Sequence, residues 1–126
     1  MIFDVQMDLT QKARLVAGGH LIEPPASITF SSVVSRDSVR LAFLIAALND
    51  LEVTACDVGN AYLNASCRER IWFVAGPESG SQHGTVIKVV RALYGLKLRG
   101  ASWQSMFNST ILEMGFDPKV ADPDVY

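Results

Sequence analysis

Asp57 closes an apolar-alternating run in the text CDVGNAYLNA (56–65), and Tyr62 follows five residues later. A carboxylate at the C-terminal end of a buried strand is costly unless it is paired or bound to a metal. Asp57 is therefore a candidate metal ligand, and the Tyr62 ring a candidate guard for a substrate pocket. The ordinary alternatives stay open: an Asp that starts a turn or caps a short helix, and a Tyr that belongs to the core. Lys12 and Arg14 are two apart in an extended run, so they point the same way. Together they could clamp a polyphosphate or simply line a solvated strand face. In LYGLK (93–97), Gly95 permits tight backbone approach and Lys97 adds a charge. No P-loop, GxSxG, HExxH or GxGxxG pattern occurs, and His20 and His83 fit loop positions.

Elements that would position these residues follow from the pattern. Residues 2–7 and 12–17 form a hairpin around a turn at 9–11. Residues 18–29 form a loop, since Gly18-Gly19 and Pro24-Pro25 cannot continue a strand or helix. Ser35 or Asp37 caps a helix reaching about Asn49. It is apolar nearly all round, which predicts burial against a sheet. A strand covers 51–57, with Leu51, Val53 and Ala55 on one face, and one helical turn covers 61–64. Strands at 71–74 and 86–90 pair across a Gly- and Ser-rich loop at 76–84. A second helix covers 101–114, ended by Gly115. Asp117-Pro118 and Asp122-Pro123 break regular structure, and Val125-Tyr126 begins a strand. Segregated hairpins and helices predict an α+β fold with an antiparallel sheet and packed helices.

Bulk composition sets the bounds. The 126 residues fit one domain or a piece of a larger protein, and 49% of them are hydrophobic, enough for a core. The net charge of −2 argues mildly against nucleic-acid binding. The charge is uneven, however. Residues 79–112 contain no Asp or Glu but carry Lys88, Arg91, Lys97 and Arg99, so a locally basic surface is possible. Cys56 and Cys67 lack metal-ligand spacing and read as free thiols of a reducing compartment. The N-terminus carries two acids and does not look like a secretion signal, and the longest apolar run, 41–48, is too short to span a bilayer. These features predict a soluble, intracellular protein that is not secreted.

Five blocks occur in the order of one family: KARLVAGGH (12–20), TFSSVVSRDSVRLAFLIAA (29–47), CDVGNAYLNA (56–65), VIKVVRALYGLK (86–97) and MGFDPKVADPDVY (114–126). The chain resembles the reverse transcriptase of copia-type LTR retrotransposons along nearly its whole length. The resemblance implies a partial right-hand polymerase: fingers at about 1–31 and 64–98, palm at about 32–63 and 99–126. It implies that Asp57 is the first catalytic aspartate, binding two Mg²⁺ ions together with the Val58 backbone carbonyl. Tyr62 corresponds to the aromatic gate that rejects a ribose 2′-OH. Lys12 and Arg14 correspond to finger cations that grip the incoming triphosphate, and Gly95 and Lys97 lie in a block that approaches nucleotide and template. The implied partners are an RNA template, a DNA primer strand, deoxynucleotide triphosphates and the rest of a retrotransposon polyprotein, in cytoplasmic virus-like particles, with no membrane.

The family pattern departs at Leu98-Arg99-Gly100, where Gln and then a Pro or small residue before Arg is usual. Asn60 stands at a place that is acidic in some related polymerases. The YVDD-type hairpin carrying two further metal-binding aspartates does not occur in the 126 residues, and Asp122 and Asp124 match the text upstream of it. One carboxylate cannot fix two Mg²⁺ ions, so the expectation is a polypeptide inactive by itself. Two alternatives stand beside this: a non-catalytic remnant or binding module derived from the family, and a generic α+β enzyme with Asp57 as acid or base. The residues at 51–57 are also expected to present an unpaired strand edge, and with it poor solubility or self-association.

Overall fold

Alternation at the N-terminus produces the expected hairpin. In the computed structural model, which describes residues 2–19, 23, 26 and 29–126, β1 (Ile2–Val5) pairs antiparallel with β2 (Gln11–Arg14). Lys12 stands opposite Asp4 and Arg14 opposite Ile2. Both strands are shorter than the pattern suggests. The positions expected for His20, Pro24 and Pro25 lie outside the described residues.

The chain divides into two units, each assembled from two separated stretches. The first comprises Met1–Phe30 and Asn60–Trp103, and the second Ser31–Gly59 and Gln104–Tyr126. Helix α3 (Arg99–Glu113) contributes residues to both.

In the first unit, the single turn α2 (Ala61–Asn64) leads to a second antiparallel pair, β3 (Trp72–Val74) with β4 (Val86–Lys88). Backbone bonds continue the pairing beyond both strands: Ala75 to Thr85 at 2.9 Å, Val89 to Ile71 at 3.0 Å, and Ala92 to Ala65 at 3.0 Å. The expected loop between the strands folds into a 3₁₀ segment, Pro77–Gln82, kinked at Gly80. Small and branched side chains fill the centre. Ala65, Ala75, Val89, Ala92, Leu96 and Leu98 are buried, and Leu96 is wholly enclosed.

In the second unit, α1 (Arg36–Leu48) starts where a cap is expected: the Ser38 N–H donates to Ser35 Oγ at 3.0 Å. It ends in a Schellman arrangement, with Asp50 at φ 51° and the Leu51 N–H donating to the Ala46 carbonyl at 2.9 Å. Helix α3 ends the same way. Gly115 takes φ 90°, and the Phe116 N–H reaches the Ile111 carbonyl at 3.2 Å.

Three expectations fail here. The strand at 51–57 does not form; these residues make no ladder and are exposed. A strand exists only through its partner, and the described residues offer none to this stretch. Helix α1 does not show the expected burial. Only Ala46 in it is buried, while Leu41, Phe43, Leu44 and Leu48 are more than half exposed. Val125-Tyr126 does not begin a strand either. The Lys119 N–H donates to the Val125 carbonyl at 2.8 Å and closes a loop instead. The chain is α+β, but with two separate two-stranded antiparallel sheets in place of one sheet with helices packed upon it.

Candidate functional site

The first unit brings together the LYGLK block, Tyr62 and the end of the N-terminal hairpin's chain. Val16 bridges to Tyr94 in parallel, and the Ala17 N–H donates to the Tyr94 carbonyl at 2.8 Å. At Gly95, φ is 91°, and a Cβ there would lie 2.0 Å from the Ala17 carbonyl oxygen. A Cβ on Gly19 would lie 1.9 Å from the Gly95 oxygen. Only glycine fits either position. The close approach that Gly95 permits is therefore to the chain at residues 17–19.

Tyr94, held in this way, presents its ring to Tyr62. The two centroids are 5.2 Å apart and the planes 82° apart, an edge-to-face pair. The Arg99 guanidinium lies 5.6 Å from the Tyr62 centroid, within cation–π range. Its Nη1 donates to the Leu96 carbonyl at 2.7 Å. Tyr62, Tyr94, Lys97 and Arg99 are all half-buried. Sequence reasoning singled out Tyr62 and missed Tyr94 and Arg99 as its partners. The departure at Leu98-Arg99-Gly100 was the signal that could have found Arg99.

On the hairpin, Lys12 and Arg14 share a face, as their spacing requires, and Asp4 shares it with them. Arg14 forms an ion pair with Asp4 at 3.7 Å. Lys12 is exposed and lines an open depression of about 570 Å³ with Phe3, Asp4 and Gln11. The hairpin face thus carries two cations and one acid. A second depression in this unit, of about 340 Å³, is apolar and lined by Leu15, Val16, Trp72, Phe73 and Leu93. Burial pushes the Cys67 thiol up from its ordinary value, against a smaller opposing effect of the Glu69 backbone; its Sγ also donates to the Glu69 carbonyl at 3.2 Å.

Asp57 and Val58 belong to the second unit, in the exposed stretch that forms no ladder. The expected placement of Asp57 at the end of a sheet strand is not seen. Among the described residues, no three His, Cys, Asp or Glu side chains gather to hold a metal ion. Asp57 and the Val58 carbonyl would leave most of a near-octahedral Mg²⁺ shell to water or phosphate oxygens, so these two residues alone do not define a site for the ion. The second unit's best-formed polar cluster lies elsewhere. Asp122 Oδ2 accepts from Ser38 Oγ at 2.5 Å and from the Ser35 N–H at 3.0 Å. The Ser38 hydroxyl first, and then the Ser35 N–H, pull the Asp122 carboxyl down to about 2. Gln104 Nε2 donates to Asp124 Oδ1 at 3.1 Å and to Ser32 Oγ. This cluster ties the Asp122-Pro123-Asp124 segment to the start of α1 and to Gln104 of α3. The sequence shows Asp122 only as a breaker, because its partners lie more than eighty residues away.

Residues 2–126 match the family described as reverse transcriptase (RNA-dependent DNA polymerase). Among curated proteins, the chain is 32% identical over 117 residues to the transposon Ty1-NL2 Gag-Pol polyprotein of Saccharomyces cerevisiae. It is 31% identical over 114 residues to the truncated transposon Ty1-A Gag-Pol polyprotein of the same yeast. Each match covers 89% of this chain but only 6% and 9% of those proteins, respectively. No solved structure gives a significant match. Among the described residues, no helix is long and apolar enough to cross a membrane.

Proposed function

The chain belongs to the reverse transcriptase (RNA-dependent DNA polymerase) family, in its copia-type branch, and from that premise we propose that it is the nucleotide-gripping part of a retrotransposon polymerase. The first unit acts as fingers and the second as palm. What supports this is that the two units change over near residues 30, 60 and 103, close to the boundaries that the family resemblance implies. The single observation that carries the reading is the match of residues 2–126 to the family.

On this reading Arg14 and Lys12 hold the triphosphate of an incoming deoxynucleotide through charge-assisted bonds. The Asp4–Arg14 ion pair is exposed and weak, so a polyphosphate can displace it. The Tyr62 ring lies under the sugar and excludes a ribose 2′-OH. Gly95 seats the LYGLK turn against residues 17–19, and from that turn Gly95 and Lys97 approach the nucleotide and template. Asp57 and the Val58 carbonyl contribute to a Mg²⁺ ligand set that other parts of a longer polyprotein complete; the metal would stabilise charge in phosphoryl transfer. An RNA template and a DNA primer are the macromolecular partners, and the setting is a cytoplasmic particle.

The test is photocrosslinking of an azido-deoxyadenosine triphosphate to the 126-residue polypeptide, with modified peptides identified by mass spectrometry. Crosslinks are expected in peptides carrying Lys12 and Arg14, Tyr62, and Gly95 with Lys97. Labelling spread evenly over both units, or abolished by equimolar inorganic phosphate, would overturn the proposal. The same polypeptide is expected to extend no primer, because it carries one carboxylate of the metal-binding set.

A further inference from the structure

Arg99 stands where a cation is electrostatically disfavoured, in the first turn of α3, at the positive end of the helix dipole. Two contacts hold it there. Its Nη1 donates to the Leu96 carbonyl at 2.7 Å, and its guanidinium lies 5.6 Å from the centre of the Tyr62 ring. The Leu96 anchor is fixed in turn, since its side chain has no solvent exposure and Gly95 before it is locked against Ala17. Leu98 and Ser102, on either side of Arg99, are also buried.

Tyr62, by contrast, sits on a weak support. Helix α2 is a single turn of four residues, and its N-cap, Asn60, is left-handed and makes no side-chain capping bond. A turn this short does not hold itself. The ring's orientation depends on tertiary contacts, among them the edge-to-face pair with Tyr94 and the guanidinium of Arg99.

We propose that Arg99 is a positioning residue for sugar selection, fixing one face of the Tyr62 ring so that the ring holds still against a bound nucleotide. The inference rests on the reading of Tyr62 as the sugar gate. A ring free to swing away from a 2′-OH discriminates poorly; a ring backed by an anchored cation and a second aromatic ring is restrained. Lysine at this position keeps the charge but loses the planar fork that both lies over the ring and reaches the Leu96 carbonyl.

Equilibrium binding of dATP and ATP to the 126-residue chain tests this, using wild type, Tyr62→Ala, Arg99→Ala and Arg99→Lys. Circular dichroism confirms that each variant is folded. Wild type is expected to prefer dATP, and Tyr62→Ala to lose the preference. Arg99→Ala is expected to narrow the dATP-over-ATP ratio about three- to tenfold, the scale of a cation–π contact, and Arg99→Lys to fall between it and wild type. If Arg99→Ala does not fold, the intermediate ratio of Arg99→Lys carries the test. A folded Arg99→Ala or Arg99→Lys with the full wild-type ratio, while Tyr62→Ala loses it, overturns the role of Arg99 and leaves the gate standing. An unchanged ratio in Tyr62→Ala, or no binding of either nucleotide by wild type, overturns the gate and this inference with it.

Discussion

The Ser38 hydroxyl donates to Asp122 Oδ2 at 2.5 Å, so a carboxylate 84 residues downstream completes the cap of α1. The same oxygen accepts the Ser35 N–H at 3.0 Å. Ser35 alone would cap the helix locally; Asp122 makes that cap a tertiary joint of the second unit.

The joint has an acid limit. The folded Asp122 carboxyl is held at about 2, below its ordinary 3.8, chiefly by the Ser38 hydroxyl. The folded value lies below the unfolded one. The stabilisation is therefore complete above about pH 4 and is lost as pH falls through about 2. Carboxyl-carbon NMR should give a midpoint near 2 for Asp122 in wild type, and a midpoint moved towards 3.8 in Ser38→Ala. Ser35→Ala, which removes the local cap but keeps the backbone N–H bond to Asp122, should cost the second unit about 0.5–2 kcal/mol in urea unfolding.

Gly95→Ala should be among the most damaging single changes in the first unit. The new Cβ would meet the Ala17 carbonyl oxygen at 2.0 Å, at a backbone φ of 91°. Steric overlap and left-handed strain add, so a loss of about 2 kcal/mol or more is expected in chemical denaturation. Gly115→Ala, at φ 90° but with nothing within 4 Å of its Cβ, isolates the strain alone and should cost less.

The two thiols should separate in alkylation. Cys56 is exposed beside Asp57, while Cys67 is half-buried and its thiol is pushed up by burial. Iodoacetamide at neutral pH, followed by peptide mass spectrometry, should modify Cys56 first. Equal rates would mean that residues 51–58 are covered rather than exposed.

Local elements were legible in the sequence because their signals are local. Alternation marked the β1–β2 hairpin, Ser35 or Asp37 marked the start of α1, which the structure resolves to Ser35, and Gly115 marked the end of α3. The site was legible in part. Lys12 and Arg14 do share a face, and Tyr62 does sit on a single helical turn. The apolar text at 41–48 and 51–57 promised a sheet and a helix buried upon it, but pairing and burial depend on a second layer that periodicity cannot supply. The Gly19–Gly95 approach, the Asp4–Arg14 pair and the Arg99–Tyr62 cation–π contact were likewise hidden, because each joins distant positions through register or packing.

On the proposed reading, Asp57 is a polymerase carboxylate, whereas Asp122 is a structural one. The most direct measurement is primer extension by a complete reverse transcriptase carrying these 126 residues, comparing Asp57→Asn with Asp122→Asn. Asp57→Asn should lower nucleotide incorporation about a thousandfold, the loss expected when several kcal/mol of charge stabilisation disappear. Asp122→Asn should leave most of the activity in enzyme that remains folded. Incorporation within a few fold of wild type in Asp57→Asn would contradict the assignment.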